Sequence, residues 1–119
     1  MFFLAYSAVV PAEKNDDTAA ATYSFNSFSL QLASKAAWAA LTKCRKHGYA
    51  VAVLDRGGNV QAILRDGSAG PHAPQTAIRK TWSANTFRQS TASLGGLLKD
   101  GDMPHQAQYI PEILLVGVP

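Results

Sequence analysis

Two groups of side chains in this 119-residue chain stand where they could do chemistry. The first is His72, in the loop Ala69-Gly70-Pro71-His72-Ala73-Pro74, where a neutral imidazole can offer a ring nitrogen to a metal without distorting a helix or strand. The plainer alternative is an exposed loop histidine between two prolines that only stiffen the connection. The second group is Arg65, Arg79 and Lys80, cations in and beside the same stretch, RDGSAGPHAPQTAIRK. Guanidinium groups pair bidentately with carboxylates, so these residues suit the rim of a site for a small acidic ligand. A solvated helix face is the alternative for them.

The other candidates carry less. His47 falls at the end of an alanine-rich helical stretch, where a histidine compensates the helix dipole. His105 lies in a polar loop with Met103 and Tyr109 near it in sequence. No H-x-x-x-H spacing links the three histidines. Cys44, the only cysteine, lies on an apolar helical stripe and reads as a small core hydrophobe. It permits no internal disulfide and no multi-cysteine zinc site. There is no G-x-S-x-G, no H-E-x-x-H and no glycine-rich phosphate loop ahead of a helix. Asp55 and Asp66 bracket a strand, but Asp55 opens a turn, where aspartate serves backbone hydrogen bonding.

The elements that must position these residues follow from local pattern. Ser29 to His47, SLQLASKAAWAALTKCRKH, is rich in Ala, Leu and Lys, with Ser29 as N-cap and Gly48 just past the end. Leu30, Ala33, Ala37, Ala40, Leu41 and Cys44 recur at spacings of three and four and predict one buried stripe. Tyr49–Leu54 and Val60–Arg65 predict two strands of a hairpin, joined through Asp55-Arg56-Gly57-Gly58-Asn59, whose glycines and asparagine supply positive φ. A helix from about Gln75 to Phe87 should turn Ala77, Ile78, Thr81, Trp82 and Asn85 inward and Arg79, Lys80 and Arg88 outward. A shorter helical turn follows from about Ser93 to Leu98, broken by the Gly95-Gly96 pair, which costs it roughly 1 kcal/mol per glycine. After the loop KDGDMPHQAQYIP, Ile113–Val116 predicts a third strand. The order is that of an α+β domain with an antiparallel hairpin at its centre.

Composition bounds the partners. An apolar fraction of 47% with 16% charged residues is that of one globular domain. The net charge of +3 comes from scattered basic residues without the clustered stripe of a nucleic-acid binder. The first twelve residues, MFFLAYSAVVPA, are too short an apolar stretch to span a bilayer, which needs about 20 residues. They read as a degenerate export signal or as a greasy disordered tail. Residues 13–27 read as a linker, so that 1–27 precede a domain covering 28–119.

Taken in order, the alanine-rich helix ending in glycine, the Asp55-Arg56-Gly57-Gly58-Asn59 turn, Arg65-Asp66 and a helix carrying Arg79-Lys80 with Ser83-Ala84 behind them resemble the GlcG/HbpS-type haem-binding family. Several exported members are similar at Ala69-Gly70-Pro71-His72. The resemblance implies a profilin-like α/β/α sandwich around an antiparallel sheet. Family members continue past the stretch matching Leu114–Pro119 into two more strands and a terminal helix, so the resemblance implies either a fragment lacking those elements or a sheet completed in another way. It implies a haem-binding or haem-responsive protein, self-associating, non-catalytic or redox-sensing, with periplasmic or secreted placement and cytoplasmic placement as the alternative. His72 would then be the iron ligand, since imidazole is the commonest protein ligand to haem iron, and Arg65, Arg79 and Lys80 would face the propionates. The alternatives are an assembly module of the same fold with no cofactor, and an enzyme acting on a small organic acid.

Overall fold

The computed structural model describes residues 21–116. The signal-or-tail reading of residues 1–12, and most of the linker, lie outside the described residues. Residues 21–28 are exposed and carry neither helix nor strand.

Helix α1, Leu30–Cys44, begins as its sequence predicts: the Ser29 hydroxyl accepts the Leu32 N–H at 3.3 Å. Ala33, Ala37 and Leu41 are buried, three members of the expected stripe. Leu30, another member of that stripe, is 62% exposed. The last residues of the predicted helix tighten into a 3-10 turn, Arg45–His47, closed by Gly48 in the left-handed region with its N–H donated to the Arg45 carbonyl.

The hairpin pairs β1, Ala50–Leu54, antiparallel with β2, Val60–Arg65, in the register Ala50↔Arg65 to Leu54↔Val60, with an irregularity between Val53 and Leu54. The Asp55 carboxylate anchors the turn: it accepts the Asn59 N–H at 2.9 Å, the Asn59 amide at 3.0 Å and the Gln61 amide at 3.2 Å. These hydrogen bonds hold its carboxyl below the usual aspartate range, the Asn59 backbone bond most of all. Of the turn residues expected at positive φ, only Gly58 is there, at φ 85°. The Trp82 indole also lies against its Cα, so that a Cβ at this position would stand 2.7 Å from Nε1.

Helix α2, Ala73–Phe87, starts two residues earlier than its pattern suggests. Pro74 sits in the first turn, where the missing N–H has no intrahelical partner to lose, and the His72 carbonyl accepts both the Thr76 N–H and its hydroxyl. Helix α3, Thr91–Asp100, runs straight through Gly95-Gly96. Ser90 caps it by accepting the Ser93 N–H, Gly101 closes it, and buried Leu94 anchors it, which together outweigh the glycine penalty. A 3-10 turn, His105–Tyr109, occupies the following loop.

The third strand expected at Ile113–Val116 does not form. Among the described residues the sheet has two strands, and 113–116 are irregular. Their backbone is taken up by α2 instead: the Leu114 N–H donates to the Ser83 hydroxyl at 2.7 Å, and the Ile113 carbonyl accepts from Arg79 Nη2 at 3.1 Å. A strand-forming sequence makes a strand only beside a partner edge. The fold is thus α+β, with α1 and α2 both packed on the hairpin but making no substantial contact with each other, which places them on opposite faces of it.

Candidate functional site

A two-stranded sheet leaves β1 with one unpaired edge. The Asp66 N–H donates to the Tyr49 carbonyl at 3.1 Å, which makes 49 and 66 a hydrogen-bonded pair and, by antiparallel alternation, Val51 and Leu64 the next. The backbone groups of Ala50 and Ala52 therefore point away from β2. The Thr81 hydroxyl, 3.4 Å from the Ala52 carbonyl, meets one of them.

Along this edge runs a groove of about 620 Å³, floored by Tyr49 to Ala52 and walled by the end of α1 on one side and the first half of α2 on the other. Its size falls within the roughly 300–1,000 Å³ of small-molecule sites. Ala50, Val51, Ala52, Ala73 and Ala77 make most of the wall apolar; His47, His72 and Lys80 bring polar groups to it. Glycine at position 70 shapes one end. A Cβ there would lie 2.8 Å from Cε1 and 2.9 Å from Nδ1 of His72, so the ring folds over the glycine and takes the space a side chain would fill. That contact gives the Gly-Pro-His order a physical reason.

Lys80 was expected to face outward. It is half-buried, and burial pushes its ammonium below the ordinary lysine range. No carboxylate lies within ion-pair distance of it among the described residues. A partly desolvated cation in an apolar groove is a strong recognition group for a carboxylate.

The structure separates the rest of the predicted set. Arg79, also expected outward, is half-buried and stands outside the groove lining: Nη2 is bonded to the Ile113 carbonyl, and the buried Nε has the Glu112 carboxylate at 3.8 Å, beyond hydrogen-bond distance. Arg65 is exposed on β2, across β1 from the groove. His105 is exposed in its 3-10 turn and does not line the groove. Cys44 is half-buried and lines the groove, rather than closing the core.

Sequence reasoning missed His47 as a groove residue. Its ring stacks on Tyr49, with centroids 5.6 Å apart and planes at 26°, and both side chains reach the groove. His47 closes the last turn with Arg45 and Lys46, the place expected of a dipole-compensating residue, while Gly48 ends the turn through its own backbone N–H. Its reach into the groove left no local signal in the sequence, because it depends on how the end of α1 meets β1.

Among the described residues no group of three or more His, Cys, Asp or Glu could hold a free metal ion. No helix among them is long and apolar enough to cross a membrane.

The comparisons with known proteins agree with one another. The model of a family described as "Haem degrading protein HbpS-like" matches residues 28–117. A crystal structure of HbpS superposes with a TM-score of 0.71 at 31% identity, covering 79% of this chain and 66% of that one. A double mutant of Streptomyces reticuli HbpS gives 0.72 at 29%, covering 92% and 71%. The Klebsiella pneumoniae protein ORFY, assigned to DUF336, gives 0.68 at 25%, covering 81% and 69%. The chain thus spans about two thirds of the length of these structures. No curated protein matches it.

Proposed function

The chain belongs to the HbpS-like family, whose description ties it to haem, and on that premise we propose that it is a haem-binding, haem-responsive protein that holds its ligand in the groove along β1. The observation that carries the reading is the donor set of the groove. One imidazole with no side-chain hydrogen bond among the described residues, His72, is seated over Gly70 at the mouth of an apolar cleft. One partly desolvated cation, Lys80, with no acidic partner among the described residues, stands two helical turns further along.

Haem would supply a redox-active iron and two carboxylates. His72 offers a neutral nitrogen to the first, Lys80 a charge-assisted hydrogen bond to a carboxylate, and the alanine walls exclude water from the ring. Arg79 and Arg65 have no part in this reading, since one is engaged by the C-terminal segment and the other lies across the hairpin. The test is titration of the full chain with hemin. A Soret band that saturates at one haem per chain is expected; a titration with no protein-dependent shift overturns the proposal.

Self-association belongs to the same proposal. Trp38 is 53% exposed on α1, Leu32 is exposed nearer the start of the same helix, and the β1 edge carries no lysine or proline between Ala50 and Val53 to discourage pairing. Light scattering over a dilution series should give a mass above that of one chain; a monomer at every concentration removes this part. An assembly module without cofactor would give the oligomer and no Soret band. Placement outside the cytoplasm, the expectation from residues 1–12, is tested by whether those residues export a fused reporter.

A further inference from the structure

We propose that His47 is a second nitrogen ligand to the same iron, reaching it from the α1 side of the groove while His72 reaches it from the α2 side. The inference rests on the haem reading and adds to it a residue and a coordination state. Both imidazoles line one groove, and they arrive from opposite layers of the fold, His47 from the 3-10 turn after α1 and His72 from the residue before α2.

Neither ring is engaged by a hydrogen bond among the described residues. The backbone closure of the turn is made by the Gly48 N–H, so no ring nitrogen of His47 is taken up by it. The ring stacks on Tyr49, a contact through the face that leaves both nitrogens uncommitted. An imidazole held by its face and free at its edge is poised to donate a lone pair.

A clamp ties the two histidine-bearing segments together. Arg45, in the same three-residue turn as His47, has its Nε 3.6 Å from the carboxylate of Asp66, which opens the loop leading to His72. The same carboxylate accepts the Ser68 N–H at 3.0 Å and the Ser68 hydroxyl at 2.9 Å. Ser68 in turn packs against Gly48, where a Cβ would stand 3.2 Å from its hydroxyl oxygen. The turn carrying one imidazole and the loop carrying the other are therefore braced against each other before any ligand arrives, which lowers the ordering cost of a two-ligand site.

The experiment is hemin titration of the full chain, His47→Ala and His72→Ala, read by absorption and electron paramagnetic resonance. The wild-type ferric complex is expected to be six-coordinate and low-spin. His47→Ala, an exposed substitution, should keep a Soret band but become high-spin, and added imidazole should restore the low-spin spectrum. A wild-type spectrum that is already high-spin, or a His47→Ala spectrum identical to a low-spin wild type, overturns the assignment of His47 and leaves the haem reading standing. Absence of a Soret shift in the wild-type chain overturns the haem reading, and this inference with it.

Discussion

Arg79 and Lys80 are adjacent cations on one helix, about 100° apart around its axis, and the fold gives them different tasks. Arg79 faces the returning C-terminal segment, where it bonds the Ile113 carbonyl; four residues on, Ser83, fully buried, donates to the Arg79 carbonyl and accepts the Leu114 N–H. Lys80 faces the groove, with His72, Thr76 and Ala77 along the same side, and finds no acidic partner there. On one side of α2 polar groups are spent on the chain itself. On the other they are left for something else. A helix face whose hydrogen bonds go to the returning chain carries stability, and one that holds a partly desolvated cation with no carboxylate beside it among the described residues carries binding, because a ligand can return what burial has taken away.

If the two sides are distinct, substitutions should divide between stability and binding. The largest expected effect on folding is Ser83→Ala, which leaves the part-buried Leu114 N–H without an acceptor and should cost about 1–3 kcal/mol in urea denaturation, with hemin affinity unchanged. Lys80→Met should do the reverse. It removes a cation that burial disfavours, so the midpoint of unfolding holds or rises, while hemin affinity falls about tenfold, the worth of one charge-assisted bond.

The clamp gives a pH dependence. The Asp66 carboxyl is held below the usual aspartate range by the Ser68 N–H and hydroxyl, with Arg45 adding to them. A depressed pKa contributes stability that is complete above the unfolded value, near pH 3.9, and is lost as the pH falls through the lower folded value. Hydrogen exchange at Ser68 should therefore be insensitive to pH above about 4 after correction for intrinsic rates, and lose protection below it. Protection that declines near neutrality would contradict the clamp.

The smallest expected effect on folding is Gly70→Ala. The glycine is not in the left-handed region, and the new Cβ meets only the movable His72 ring. Stability should stay within about 0.5 kcal/mol, while displacement of the ring shifts the Soret maximum. An unchanged spectrum would remove Gly70 from the account of the site.

Much of this arrangement was legible in the sequence. The apolar stripe of Ala33, Ala37 and Leu41 and the Asp55 to Asn59 turn are local signals, and local signals set α1 and the hairpin. His72 was legible as a loop imidazole, but what seats it, the bare Cα of Gly70, is a contact only geometry reveals. The different fates of Arg79 and Lys80 were not legible, because they depend on where Ile113 returns, 34 residues away from Arg79. The same long-range contact defeated the predicted third strand: Ile113–Val116 has strand composition, but α2 side chains hold its backbone instead of a neighbouring edge. His47 was hidden by its local role at the basic end of α1, which says nothing of the groove beside it.

The central claim is that one side of α2 binds and the other side holds the fold together, and hemin titration of His72→Ala beside Arg79→Met tests it most directly. The predicted result is a Soret shift lost or strongly weakened in His72→Ala and retained at wild-type affinity in Arg79→Met. A shift that survives His72→Ala intact, or one that Arg79→Met abolishes in a chain that is still folded, would contradict it.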